Sequence, residues 1–287
     1  MVAVFLANGP TPEERRALRR PDGALVAMNA RYGLFASAEL ERAHDLIEGW
    51  KRRGITVLPE FDRRYPANLR AAGDRPPVLF VQGQLSPGDE RSVAVVGTRK
   101  PTAHGRTAAA AVASGLVAAR YTVLSGLASG VDTAAHEAAL RSGGRTVAVL
   151  GTGVDRCYPP ENAALQNEIA SRCAIVSRLA PGSGPTRGSF PMRNAVMSGL
   201  ALATVIVEAS TTSGTRIQAR ASLAQGRPVV LLRDVLEHDW ATELASRDGV
   251  HVVECPGEVV ELIAALDPRD ARGQRPAQAP CSVPRAA

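Results

Sequence analysis

A chain of 287 residues, 45% of them hydrophobic, is long enough to bury a full core as one large or two modest domains. Its formal charge of +6 favours an acidic partner such as nucleic acid or a nucleotide, although solvated surface arginine gives the same sum. The four cysteines have no CxxC spacing and pair with none of the five histidines, which indicates neither a zinc site nor a disulfide framework; no apolar run approaches the roughly 18 residues of a membrane helix, so a cytoplasmic protein without metal is expected.

Residues 1–54 read as a small helical module. Thr11 and Pro12 open one helix, and Ser37-Ala38-Glu39-Leu40 opens another toward Trp50, ended by Gly54. Residues 55–91 form an extended lead-in that packs on the core. It holds a strand at 55–59, turn-forming stretches at 62–66 and 74–77, and a strand at 78–81 closed by Gly83.

The main domain is expected over residues 92–266. Apolar runs at 93–96, 121–124 and 146–150 each lead into glycine and are separated by alanine-rich stretches of helical length. Strands that are apolar throughout are covered on both faces, so this β-α-β-α-β unit predicts a doubly wound, mostly parallel α/β sheet. Further strands are predicted at 173–176, 204–207, 228–232 and 250–253, with helices between them. The 180–189 segment is a loop rich in Gly, Pro and Ser, of a kind that is often functional. Residues 267–287, with almost no large apolar side chain, read as a disordered tail.

Ligands of such sheets gather beyond the carboxyl ends of the strands. Those ends carry Gly97-Thr98-Arg99-Lys100, the glycines of 125–130, and Gly151-Thr152-Gly153. Neither a GxGxxG fingerprint nor a Walker motif is present, so an NAD enzyme or a P-loop ATPase, with their cofactors, is not expected. Arg99, Lys100, Arg187 and Arg193 fall near strand-to-helix loops on this edge with Phe190 among them. Cations around one aromatic suit a single nucleic-acid strand, with charges for phosphates and a ring for a base. Gly126 and the Ser213-Gly214-Thr215 helix start are read as a phosphate nest. Asp132 and His136, four apart, have the spacing of an acid–base pair, but a helix cap and a structural hydrogen bond explain them better because no nucleophile is placed beside them.

At these residues the sequence resembles the DNA-processing protein A family, also called Smf. The matching stretches are VAVVGTRKPTAHG, VLSGLASGVDTAAHEAAL, GGRTVAVLGTGVDRCYPPEN, FPMRN and VIVEASTTSG, with YPANL and PPVLFVQG before them. The resemblance implies a Rossmann-like core and single-stranded DNA binding without enzymatic turnover. It also implies a homodimer and delivery of DNA to a RecA-type recombinase in natural transformation. On the matching positions, Arg99 would grip a phosphate, with Gly97 and Thr98 giving backbone room. Phe190 would stack a base, Arg187 would add a cation, and Arg193 and Asn194 would hold the loop and the sugar-phosphate. The chain departs from the family pattern at Arg178, at Ala195, over Ser213 to Ala221 and over Leu231 to Asp234, and no winged helix is visible after the core. A competing expectation is a nucleotide sensor or phosphoribohydrolase-like enzyme of the wider Rossmann-like group, although Gln218 stands where that chemistry needs a glutamate.

Overall fold

The computed structural model describes residues 11, 13, 14, 27, 30, 36–210 and 214–269. Nine strands form one sheet in the order β1-β2-β6-β5-β4-β3-β7-β8-β9. They are β1 (Ile55–Pro59), β2 (Val78–Gly83), β3 (Ser92–Val96), β4 (Thr122–Ser125), β5 (Thr146–Leu150), β6 (Ala174–Ser177), β7 (Ala203–Ile206), β8 (Val229–Leu232) and β9 (Val250–Val253). From β6 to β9 all neighbours are parallel, and β3 is central, with Ala94 opposite both Leu124 and Thr204. The lead-in strands β1 and β2 join the sheet itself as an antiparallel edge on β6.

The helices are α1 (Ala36–Arg52), α2 (Ala67–Ala71), α3 (Ala103–Ala118), α4 (Val131–Arg141), α5 (Ala163–Arg172), α6 (Ser189–Leu200), α7 (Thr215–Ala224), α8 (Asp239–Ala245) and α9 (Pro256–Leu266). Alternate strand residues point to opposite faces, and each face has its own cluster. Val93, Val95, Val123 and Val205 pack under α3, α4 and α9, where the small side chains of Ala109, Ala113, Ala135 and Ala139 bring helices close. Ala94, Val96, Leu124 and Ile206 pack under α6, α7 and α8 through Val196, Met197, Ala219 and Trp240. A third cluster, with Trp50 edge-on to Phe80, seats α1 and α5 at the antiparallel end.

The short helix α2 was not expected from sequence. It follows Pro66, and its Asn68 amide donates to the carbonyls of Glu90 and Leu200, fastening the lead-in to the core. Thr11 and Glu14 exchange the reciprocal bonds of a capping box, in line with the expected helix start. The core runs past the expected boundary at 266: Asp267 is buried and pairs with Arg91, and Arg269 pairs with Glu90. The remaining tail residues lie outside the described ones. Cys157 and Cys173 are free, whereas Cys255 is disulfide-bonded, which the spacing did not indicate. Among the described residues no helix is long and apolar enough to cross a membrane, and no cluster of three His, Cys, Asp or Glu is placed to hold a metal.

Candidate nucleic-acid interface

The connection leaving β3 runs to β4 on one side, and the connection leaving β7 runs to β8 on the other. A crevice opens between two such connections at the carboxyl ends. Hydrogen bonds stitch its two loops together. The Thr98 N–H donates to the Glu208 carbonyl at 2.8 Å, and the Glu208 carboxylate accepts the Thr102 N–H (3.0 Å) and hydroxyl (2.8 Å) at the start of α3. The loop after β4 closes on the same point, because the Val131 N–H reaches the Thr98 carbonyl. Gly130 makes this possible: its φ is +87°, and a Cβ there would lie 2.5 Å from that carbonyl oxygen.

Behind the crevice sits a buried ion pair. Arg193 on α6 places Nη1 3.7 Å from Asp132 Oδ2 on α4, and both side chains are almost wholly shielded from solvent. Asp132 also accepts the N–H groups of Gly126 (3.1 Å) and Ala128 (3.3 Å). Burial pushes the Asp132 carboxyl up, opposed by Arg193 and those two N–H donors. Burial pushes the Arg193 guanidinium down; Asp132 pulls it back, and the charge of Arg99 opposes it again. Two like charges therefore line the same crevice, an arrangement that a bound anion relieves. The Arg193 Nε is buried without a hydrogen-bond partner.

Arg99 and Lys100, both exposed, and Phe190, half-buried, line the crevice. The Arg99 guanidinium carbon lies 5.4 Å from the Phe190 ring centroid, within cation–π reach. The ring lies against Gly151, where a Cβ would come within 3.1 Å of it. Its other neighbour is Tyr158, at 5.9 Å between centroids and 40% exposed. Tyr158 is a site residue that the sequence motifs leave without a role; the signal for it is an aromatic, within CYPPEN, in a loop that follows a strand end. Arg99, Ala128, Phe190 and Arg193 line both a recess of about 180 Å³, shared with Gly126, Ser129, Gly151, Thr152, Tyr158 and Pro159, and a wider cleft of about 530 Å³. Lys100, Asn194, Gly214 and Thr215 line the wider one. Arg187 lines neither, standing outside on the 180–189 loop. That loop is pinned: Gly182 donates to Asp155, Gly153 to Ser183, and Thr186 and Ser189 bond each other reciprocally.

The phosphate-nest expectation changes at Gly126. Its N–H is already given to Asp132, and the missing side chain makes room for Arg193, whose Nη1 lies 1.1 Å from where a Cβ would be. Ser213 lies outside the described residues, Gly214 precedes α7 with ordinary backbone angles, and Thr215 is buried. His136 is structural, as expected. Its Nδ1 lies 2.7 Å from Thr146 Oγ1, whose own proton goes to the Val123 carbonyl, so Nδ1 is the donor. Burial lowers its pKa to about 3 and keeps it neutral. Gln218 is buried too, donating to the Ser198 hydroxyl in a network with Ser222 and Thr204.

A larger cavity of about 860 Å³ shares no lining residue with these two. Of its basic and aromatic groups, Arg64 is engaged with Asp62, Arg70 with backbone carbonyls, and Tyr65 with the Pro76 carbonyl.

Fold and site together define a Rossmann-like α/β protein whose switch-point crevice is cationic and aromatic. The chain belongs to the DNA recombination-mediator protein A family, whose model matches residues 56–264. It is 37% identical over 227 residues to protein Smf of Synechocystis sp., covering 77% of this chain and 57% of that one. It is 35% identical over 187 residues to DNA processing protein DprA of Bacillus subtilis, covering 64% and 62%. The chain thus spans about three fifths of the length of these relatives. Among solved structures, DprA of Streptococcus pneumoniae superimposes with a TM-score of 0.73 at 28% identity, covering 89% of this chain and 94% of that one. A structure describing the single-stranded DNA binding mode of DNA processing protein A from Helicobacter pylori gives 0.65 at 26% identity, covering 74% and 96%.

Proposed function

We propose that this protein binds single-stranded DNA in the switch-point crevice and delivers it to a RecA-type recombinase, acting as a homodimer and without catalytic turnover. The observation that carries the reading is the Arg99 and Phe190 pair: an exposed guanidinium over a half-buried ring, with Arg193 and Lys100 lining the same cleft. Phosphates meet the cations while the ring and Tyr158 take an unstacked base, and duplex is disfavoured because its bases are already stacked. Asn194, buried at the cleft wall with no side-chain hydrogen bond to the described residues, is placed to meet sugar or phosphate. The relatives' names point the same way. The nucleotide-hydrolase alternative loses support at Gln218, which is amide in chemistry and committed to the core network.

Fluorescence anisotropy with labelled dT oligonucleotide, duplex and a purine nucleotide, at low and moderate salt, tests this reading. Salt-sensitive binding to the single strand alone, weakened by Arg99→Ala, is the expected result. Binding of the nucleotide with neglect of the oligonucleotide would replace DNA processing with a small-molecule site.

A further inference from the structure

Helix α7 starts at the cleft, where Thr215 and Gln218 form part of the wall, and its opposite side faces solvent. That outer side carries Arg216 and Arg220, both exposed, with Ile217 between them at 47% exposure. Arg216 and Ile217 belong to the stretch where the sequence departs from the family pattern, and the crevice uses neither.

The charge pattern of this helix differs from that of α4, α5 and the end of α8. Arg141, Arg172 and Arg247 each have a glutamate one turn before them and pair with it: Glu137, Glu168 and Glu243. One turn before Arg220 stands Arg216. Like charges at that spacing destabilise a helix, α7 contains no acidic residue, and neither guanidinium has an ion-pair partner among the described residues. Two cations held uncompensated against helix stability, beside an exposed apolar side chain and continuous with a cationic cleft, form a surface for a polyanion with apolar parts.

We propose that the outer face of α7 is a second track for the DNA strand, continuing its path beyond the crevice. Arg216 and Arg220, one helical turn and roughly 6 Å apart along the axis, meet successive phosphates of an extended strand, and Ile217 packs against the sugar or base between them. The inference rests on the single-strand reading above and adds to it a direction of exit and a longer footprint.

The test compares labelled dT oligonucleotides of about 6 and about 20 nucleotides, lengths that bracket a single cleft and a longer footprint, with wild type and the Arg216→Gln/Arg220→Gln double variant. Both side chains are exposed, so the fold should be unaffected, which circular dichroism checks. The short oligonucleotide should bind the variant within about twofold of wild type, while the long one weakens about tenfold and its salt slope falls by about 1.4, two phosphate contacts at roughly 0.7 each. Equal loss at both lengths would place the arginines in the crevice and overturn the track. No change at either length would overturn it as well and leave the patch to an acidic protein surface. A wild type that binds neither oligonucleotide removes the underlying single-strand reading, a result distinct from the other two.

Discussion

Gly126 and Arg193 occupy one space: the guanidinium Nη1 sits 1.1 Å from where a side chain at position 126 would begin. The glycine at the end of β4 therefore exists for an arginine that arrives from α6, and Asp132 holds that arginine by its charge. In turn Arg193 forms the wall common to recess and cleft, so the buried pair shapes the surface that Arg99 and Phe190 present.

Gly126→Ala forces the guanidinium away from Asp132. Overpacking of this kind costs about 1–3 kcal/mol, and Asp132→Asn, which leaves a buried cation without its counter-charge, costs about 3–5 kcal/mol. Urea denaturation measures both. If Arg193 also sets the cleft wall, Gly126→Ala weakens oligonucleotide binding at temperatures where the variant is fully folded.

Phe190→Ala and Arg99→Ala should fail differently. Loss of a stacking ring removes about 1–3 kcal/mol of binding with little change in salt dependence. Loss of one phosphate contact lowers the salt slope by about 0.7. Anisotropy titrations at several salt concentrations separate the two, and Tyr158→Ala should follow Phe190→Ala at smaller magnitude because its ring is the more exposed.

Much of this was legible in the chain, and what was not has identifiable causes. Strands β1, β5 and β9 fall on their predicted limits because their apolar runs are bounded by breakers. The parallel core followed from the absence of alternation in runs such as 93–96 and 146–150. Helix α2 was hidden because five residues carry no period. The role of Gly126 was misread because its neighbours in space, Asp132 and Arg193, come from two other elements, and a glycine beside a strand end looks the same whether it admits a phosphate or a guanidinium. The length of the core past 266 was missed because Asp267 lies in a polar, proline-containing stretch whose burial depends on Arg91, on the other side of the chain.

His136 predicts a pH dependence of stability. Its pKa is 6.5 in the unfolded chain and about 3 in the fold, so between these values the unfolded state binds a proton that the native state refuses. The neutral-histidine contribution is fully present above pH 6.5 and is lost as pH falls toward 3, at up to about 1.4 kcal/mol per pH unit. Denaturation midpoints for wild type and His136→Gln should converge between pH 7 and pH 5, whatever the variant's loss at neutral pH; parallel curves would assign the acid sensitivity elsewhere.

Glu208 allows the contributions of charge and of loop geometry to be separated. Its carboxylate lies at the rim of a cationic crevice, where it repels phosphate, yet it holds the Thr102 N–H and hydroxyl while its carbonyl holds the Thr98 N–H. On charge alone, Glu208→Ala should strengthen DNA binding. If the stitching of the two loops matters more, the variant loses about 1–2 kcal/mol of stability with the start of α3 left unsupported, and binding weakens because Arg99, next to Thr98, is no longer held over Phe190. The second outcome is expected: the carboxylate is already committed to two donors, and the guanidinium must be placed before its charge is useful. The salt slope decides between them, since a misplaced Arg99 lowers it whereas removal of a repelling charge does not.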